Sequence, residues 1–183
     1  EVLGQENSSD MEMKSILIGQ GLDLQFGKEA MAEADRIPSN ISEQEIALRR
    51  DMRETMTLTI DPFNAKDFDD ALSYKELENG QVEIGVHIAD VSHYLKPDGP
   101  LDREAFERST SVYLVDRVLP MLPEKLSNEL CSLRPHEDKL TFSAVYIFDS
   151  KFKIINEWYG KTITHSNRRF TYEEAQHILE GNE

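Results

Sequence analysis

The segment Thr59-Ile60-Asp61-Pro62-Phe63-Asn64-Ala65-Lys66-Asp67-Phe68-Asp69-Asp70-Ala71 holds four carboxylates within ten residues. Asp61 follows a β-branched, alternating stretch, Thr57 to Ile60, and Pro62 stops the strand there, so the other three acids fall in the next loop. Two unit charges about 4 Å apart repel by about 4 kcal/mol at an effective dielectric near 20. Four carboxylates converging on one place therefore call for a cation. Oxygen-only donors select Mg²⁺ or Mn²⁺, and a pair of such ions about 3.5–4 Å apart is the usual clamp for attack on a phosphodiester. A solvated acidic loop has the same composition, but Phe63 and Phe68 stand between the acids and require part of the loop to turn inward. A calcium loop of the EF-hand type is disfavoured. Asp67, Asp69 and Glu78 take its first, third and twelfth places, yet Leu72 stands where glycine is needed and the segment reads as a strand.

Other reactive side chains give weaker signals. Cys131 has no partner cysteine and no base in a motif around it, so it reads as a small buried hydrophobe that fits a reducing, cytoplasmic location. The histidines at 87, 93, 136, 165 and 177 show no zinc spacing and read as structural or surface groups. Lys66 balances charge among the acids or touches a phosphate. Arg168 and Arg169, beside Phe170, either meet a nucleic-acid backbone or lead into a capped helix.

The elements that must position these groups follow from periodicity. Helical patterns cover Met11–Ile18, ended by Gly19 and Gly21, and Lys28–Asp35 before Pro38. A third opens at Ser42 with Glu45 three residues on, a capping box, and closes on Arg49 and Arg50 as the helix dipole prefers. These helices are polar on most faces and read as an approach segment. Strands follow at Thr57–Asp61, Ala71–Tyr74 and Val82–Ile88, the last alternating with period two, with a turn at Asn79-Gly80. A helical run covers Leu101–Glu107, an extended piece Ser111–Val115, and a loop surrounds Pro120 and Pro123. Strands return at Leu140–Phe148 and Ile154–Thr164, and a last helix opens at Thr171 with Glu174 as a second capping box and ends at Gly181. The pattern is mixed α+β.

Lys and Arg number 20 against 35 Asp and Glu, a net charge of −15, which argues against a self-sufficient nucleic-acid binder that attracts phosphates at long range. Residues 1–48 carry ten acids and three bases and are more acidic per residue than the remainder. No run approaches the roughly 20 apolar residues a membrane helix needs, and no membrane partner is expected. The chain begins Glu-Val-Leu-Gly and stops on Gly-Asn-Glu, which suits a piece of something longer.

Four further motifs accompany the acidic segment: Ile88-Ala89-Asp90-Val91-Ser92, Pro100-Leu101-Asp102-Arg103-Glu104-Ala105, Thr110-Ser111-Val112-Tyr113, and Pro120-Met121-Leu122-Pro123-Glu124-Lys125-Leu126-Ser127-Asn128-Glu129-Leu130-Cys131-Ser132-Leu133. In order and spacing they resemble the catalytic domain of the ribonuclease II and ribonuclease R family of 3′-to-5′ exoribonucleases, the ribonuclease R branch more closely. The resemblance implies an α+β fold forming part of that catalytic domain. Residues 1–4 would be the tail of a preceding cold-shock (OB-fold) domain, 5–48 a helical linker, and 49–183 the N-terminal half of the catalytic domain. It implies processive hydrolysis of single-stranded RNA from its 3′ end to 5′-mononucleotides with Mg²⁺, Mn²⁺ being a possible substitute. Asp61 and Asp70 would then be direct ligands of the main ion, Asp67 would help hold the second, and Asp69 would orient the reacting end and its water. Tyr113 would stack on the terminal base, where an ordinary core tyrosine is the competing reading. The family's later arginine, second base-clamping aromatic and basic RNA-binding domain are not in this sequence, so the chain alone is expected to be inactive or nearly so. The alternative is a catalytically degenerate RNA-binding module of the same fold, which would be expected to lose carboxylates; all four are present.

Overall fold

A computed structural model describes residues 9–115 and 117–181. In chain order its elements are α1 (Ser9–Gly19), α2 (Lys28–Arg36), α3 (Glu43–Ala47), β1 (Arg50–Asp51), β2 (Met56–Asp61), β3 (Asp70–Glu76), β4 (Val82–Ala89), α4 (Pro100–Arg108), β5 (Val112–Tyr113), β6 (Val118–Leu119), β7 (Asp138–Phe148), β8 (Ile154–His165), β9 (Arg168–Thr171) and α5 (Tyr172–Leu179). The mixture of helices and strands is the α+β class read from the sequence. The expected cold-shock tail, residues 1–4, lies outside the described residues. Among those described, no helix is long and apolar enough to cross a membrane.

The chain forms two compact units, one from the stretches up to Ile37 and Leu95–Glu124, the other from Pro38–Tyr94 and from Lys125 onward. In the first, α2 and α4 bury small side chains, Ala30 and Ala34 on one and Leu101 and Ala105 on the other. Each helix also caps its neighbour. Glu33 of α2 accepts from the Leu101 amide at the start of α4 (2.9 Å), and Glu104 of α4 accepts from the Gly27 amide that precedes α2 (3.2 Å). Amides at a helix start have no partner within the helix and favour negative charge, so the acids of this polar pair settle both needs together. Arg108 fastens the preceding loop, donating to the Asp23 and Gln25 carbonyls (3.1 and 2.8 Å) with its guanidinium 4.0 Å from the Phe26 ring centroid.

The second unit is built on a seven-stranded sheet in the order β1-β8-β7-β4-β3-β2-β9. Two residues separate β8 from β9, so one stretch of chain pairs with β7 at one end of that order and with β2 at the other. Asn167, in this link, donates its amide to the Thr57 carbonyl and accepts from the Thr57 amide through Oδ1. The sheet therefore closes into a barrel. Cross-strand register fixes what fills it: Thr57, Ser73, Gly85, Val145 and Trp158 form one inward row, and Ala71, His87, Ser143 and Gly160 the next. The space admits little more. A Cβ on Gly85 would lie 2.7 Å from the His87 ring, and one on Gly160 would lie 2.8 Å from Trp158.

The period-two alternation of β4 is present, and its buried row is Glu83, Gly85, His87 and Ala89. The large apolar row, Val82, Ile84, Val86 and Ile88, faces outward. The same inversion holds in β2 and β3, where Thr57, Thr59 and Ser73 are buried while Met56, Ile60, Leu72 and Tyr74 are exposed. A tightly closed barrel has room for hydroxyls and hydrogens inside, and branched side chains go to its outer surface.

Several polar groups inside find one another, while His87 Nε2, Ser73 Oγ and Thr59 Oγ1 are buried without a hydrogen-bond partner. His87 Nδ1 lies 2.6 Å from Ser143 Oγ, which lies 2.5 Å from Thr162 Oγ1, which lies 2.6 Å from Thr141 Oγ1. His87 is fully buried, and that burial, with the Arg50 charge adding to it, pulls its pKa down to about 4. At one end of the barrel Arg49 is also buried, a departure from the helix-closing role expected of it. It donates to Asp90 Oδ2 and Glu45 Oε1 (both 2.7 Å) and to the Thr141 and Thr162 carbonyls (3.2 and 3.4 Å). Glu45 is thereby drawn away from the reciprocal half of its capping box. Ser42 still accepts from the Glu45 amide, whereas at Thr171 and Glu174 both halves form.

Because His87 is held neutral in the fold and titrates near 6.5 when unfolded, the unfolded chain binds the extra proton first as pH falls. Stability present above pH 6.5 is then lost progressively down to about pH 4, by about 3 kcal/mol for a shift of this size. Urea unfolding of His87→Asn, compared with wild type at pH 7 and pH 4, is expected to show a smaller acid loss by about that amount, whatever the variant's stability at pH 7.

Candidate functional site

β2 delivers Asp61 to one mouth of the barrel. Thr57, Thr59 and Asp61 share the inward face, and Asp61 is 9% exposed. Pro62 then turns the chain, with the Ala65 amide donating to the Pro62 carbonyl (3.0 Å). Of the two rings expected to turn inward only one does. Phe68 is buried, whereas Phe63 is 79% exposed.

Phe68 is where the loop is bolted down. Its amide donates to Ser132 Oγ (3.0 Å), that hydroxyl donates to the Lys66 carbonyl (2.8 Å), and the Phe68 carbonyl accepts from the Leu133 amide (2.8 Å). The Asp69 carbonyl accepts from Ala89 (2.9 Å), and β3 begins at Asp70 in register with Ile88. Ser132 and Leu133 follow a six-residue π-helical turn, Lys125–Leu130, anchored by buried Leu126 and Leu130. The near half of the loop is held from β9. Arg169 pairs in register with Thr59 and donates through Nη2 to the Pro62 and Phe63 carbonyls (2.6 and 2.7 Å), its guanidinium 5.2 Å from the Phe68 ring centroid.

The acids of this loop act on one another. Burial is the main cause that lifts the Asp61 pKa above the ordinary carboxylate value, with Asp70 and Asp67 adding to it and the Thr59 hydroxyl and the Arg169 charge opposing it. Asp61 Oδ2 is buried without a hydrogen-bond partner. Asp69 is raised too, first by the protein around it and then by Asp67, Asp70 and Asp61. Among the described residues no three His, Cys, Asp or Glu side chains are set as a finished metal cage. The donors nonetheless fit a hard divalent cation in type and sign: all are carboxylates, they lie within one another's field, and one presents an unpartnered buried oxygen. Protonation is the alternative route to relief, and the raised values show the strain.

The remaining candidates fall as follows. Lys66 is exposed. Tyr113, on β5 of the first unit, is 63% exposed, so it is not a core tyrosine. Arg168 lies over the Phe170 ring, 4.2 Å from its centroid, while Arg169 serves the loop. Cys131 is buried, and burial pushes its thiol up to about 12, which removes it as a nucleophile at neutral pH. Three groups at this end of the barrel have structural roles other than those expected from the sequence: Ser132 and Arg169, which hold the loop backbone, and the buried pair Arg49–Asp90. Asp90 accepts from Arg49 and from Ser92 Oγ (2.9 Å). Burial works against its carboxylate, but these bonds more than offset it and hold its pKa below the ordinary value.

The RNB domain model matches residues 49–183. The chain is 43% identical over its whole length to Ribonuclease R 1 of Lactococcus lactis, of which it spans 22%. It is 39% identical over 98% of its length to a protein of Arabidopsis thaliana named Inactive exonuclease DIS3L2, of which it spans 17%. Among solved structures, RNase R of Mycoplasma genitalium in complex with ribose-methylated single-stranded RNA matches with a TM-score of 0.89 at 30% identity, covering 100% of this chain and 28% of that one.

The raised Asp61 pKa has a direct consequence for stability in metal-free buffer. A carboxyl whose folded pKa lies above its unfolded value weighs on the fold when charged, and the burden lifts as pH falls through the folded value toward the ordinary one. Asp61→Asn is therefore expected to melt higher than wild type at pH 7 in EDTA, with the difference closing as pH approaches 3.8. Thermal melts across that range check it.

Proposed function

The chain belongs to the RNB-domain family, and on that footing we propose that it is the metal-binding half of the catalytic domain of a ribonuclease R-type exoribonuclease. In this reading the longer enzyme hydrolyses single-stranded RNA processively from its 3′ end to 5′-mononucleotides. The observation that carries it is the acidic mouth of the barrel: Asp61 at the end of β2 and buried, Asp67 and Asp69 on the doubly anchored loop and Asp70 at the start of β3, with the Asp61 and Asp69 pKa values raised by the surrounding protein and by their acidic neighbours. Such a set suits chemistry on a polyanion only with divalent cations between them, Mg²⁺ or Mn²⁺ by donor type.

Asp61 and Asp70 are the proposed ligands of the main ion and Asp67 a ligand of the second. When bound, the ions supply charge neutralisation at the scissile phosphate and a water of lowered pKa. Asp69 accepts a hydrogen bond from the reacting 3′ end and orients it. The loop's bonds to Ser132, Leu133 and Ala89 keep that carboxylate in place without rearrangement, which is the positioning that hydrolysis at a chain end needs. Tyr113 offers an exposed ring on which any terminal base can stack, in keeping with a substrate read by its end and not by its sequence. Residues 49–183 are the catalytic part, residues 5–48 a helical linker behind an OB-fold tail at 1–4, and a reduced Cys131 suits the cytoplasm. The net charge of −15 opposes RNA capture by this chain alone, so its own turnover is low.

A second reading, a fold that has lost its chemistry, draws on the relative named as inactive. Two measurements separate the readings. Millimolar Mn²⁺ or Mg²⁺ is expected to raise the melting temperature of the chain, by about 2.7 kcal/mol of stability at 100 times Kd, and Asp61→Asn with Asp70→Asn to abolish the rise. In the longer enzyme, Asp69→Asn is expected to leave RNA affinity within about twofold and to lower turnover at least about 100-fold. No metal-induced shift in wild type, or parallel loss of binding and turnover in the variant, would count against the assignment.

A further inference from the structure

We infer that Arg169 is the positioning residue that preorganises the acidic loop for a divalent cation, acting through the two carbonyls it holds and not through its charge. The inference rests on the metal-dependent reading above and adds to it a side chain outside the carboxylate set.

The loop has two ends to secure. Its far end is fixed by the Phe68 bonds to Ser132 and Leu133 and the Asp69 bond to Ala89. Its near end follows directly on Asp61, and there the Arg169 guanidinium holds both the Pro62 and the Phe63 carbonyls (2.6 and 2.7 Å). The register makes this possible. β9 runs parallel to β2 with Arg169 beside Thr59, so a long side chain on the same face reaches past the strand end to the two residues after Asp61. The Phe68 ring lies against the guanidinium at 5.2 Å, so both loop ends meet on one planar group.

Charge and position make opposite predictions here. Arg169 lies close enough to Asp61 for its charge to act on that carboxyl. A positive group there repels an incoming cation, so a purely electrostatic Arg169 would weaken cation binding and its removal would tighten it. A positioning Arg169 works the other way. Without it, residues after Asp61 must be ordered at the moment the cation binds, and affinity falls by that ordering cost. Lysine separates the two roles, since it keeps the charge but lacks the planar fork that serves two carbonyls at once.

The test is Mn²⁺ affinity of the 183-residue chain, by water-proton relaxation or calorimetry, for wild type, Arg169→Lys and Arg169→Gln, with far-UV circular dichroism to confirm the fold. Both variants are expected to bind about tenfold more weakly than wild type. A glutamine variant that binds as tightly as wild type or tighter, or a lysine variant equal to wild type, overturns the inference and leaves the metal reading standing. Absence of Mn²⁺ binding by wild type overturns the metal reading and this inference with it. Should the variants fail to fold, hydrogen exchange on wild type decides. The Ala65 amide, which donates to the Pro62 carbonyl that Arg169 holds, and the Phe68 amide are expected to be protected before Mn²⁺ is added, with less than about a twofold change on addition; protection that appears only with the ion overturns the inference.

Discussion

Residues 52–55 join β1 to β2, and those strands lie at or next to opposite ends of the hydrogen-bonded order. A link that short spans at most about 18 Å from strand to strand, so the sheet has to close. Closure sets the interior volume, and the interior volume sets the chemistry of everything inside. Large side chains are excluded where Gly85 and Gly160 touch the His87 and Trp158 rings. What remains is a column of hydroxyls around a neutral histidine, stabilised by mutual hydrogen bonds and not by apolar bulk alone.

The mouth of the barrel gathers charge of both signs and treats each differently. The Arg49–Asp90 pair is buried and well matched, with two further carbonyls on the guanidinium, which is the geometry that lets an ion pair survive loss of water. The acidic loop is treated otherwise: its backbone is fastened at both ends, while Asp61 Oδ2 is buried without a hydrogen-bond partner and acidic neighbours raise both Asp61 and Asp69. On the proposed metal-dependent reading, a cation's charge would supply what such a loop lacks.

The elements were largely readable from the amino-acid sequence because their signals are local. Thr171 and Glu174 form the full capping box that their spacing predicts, and every strand of the barrel that was expected is present within a few residues. The buried face was not readable. Valine and isoleucine in β4 alternate with glycine, histidine and glutamate, and the ordinary rule would bury the former; closure reverses it, and closure is set by residues far apart in the chain. Arg49 illustrates the same limit, since a basic residue at a helix end looks like a dipole partner until Asp90, just past the end of β4 and 41 residues later, meets it. The parts played by Ser132 and Arg169 were not legible, because these side chains hold backbone carbonyls and amides, which leave no mark on the sequence they serve. The acidic loop itself was legible since four carboxylates are a chemical statement wherever they fold.

The outward rows of the barrel, Met56–Tyr74–Ile84–Tyr146 and Leu58–Leu72–Val86–Ala144–Tyr159, also bear on how copies of this molecule meet one another in solution. Exposed apolar surface draws two copies together at contact, while a charge of −15 holds them apart at longer range. The reach of the repulsion is the Debye length, about 30 Å at 0.01 M salt and about 3 Å at 1 M. Colloidal stability of this chain is therefore an ionic-strength quantity: dilute buffer keeps the molecules dispersed, and concentrated salt removes the barrier that keeps their apolar flanks from touching.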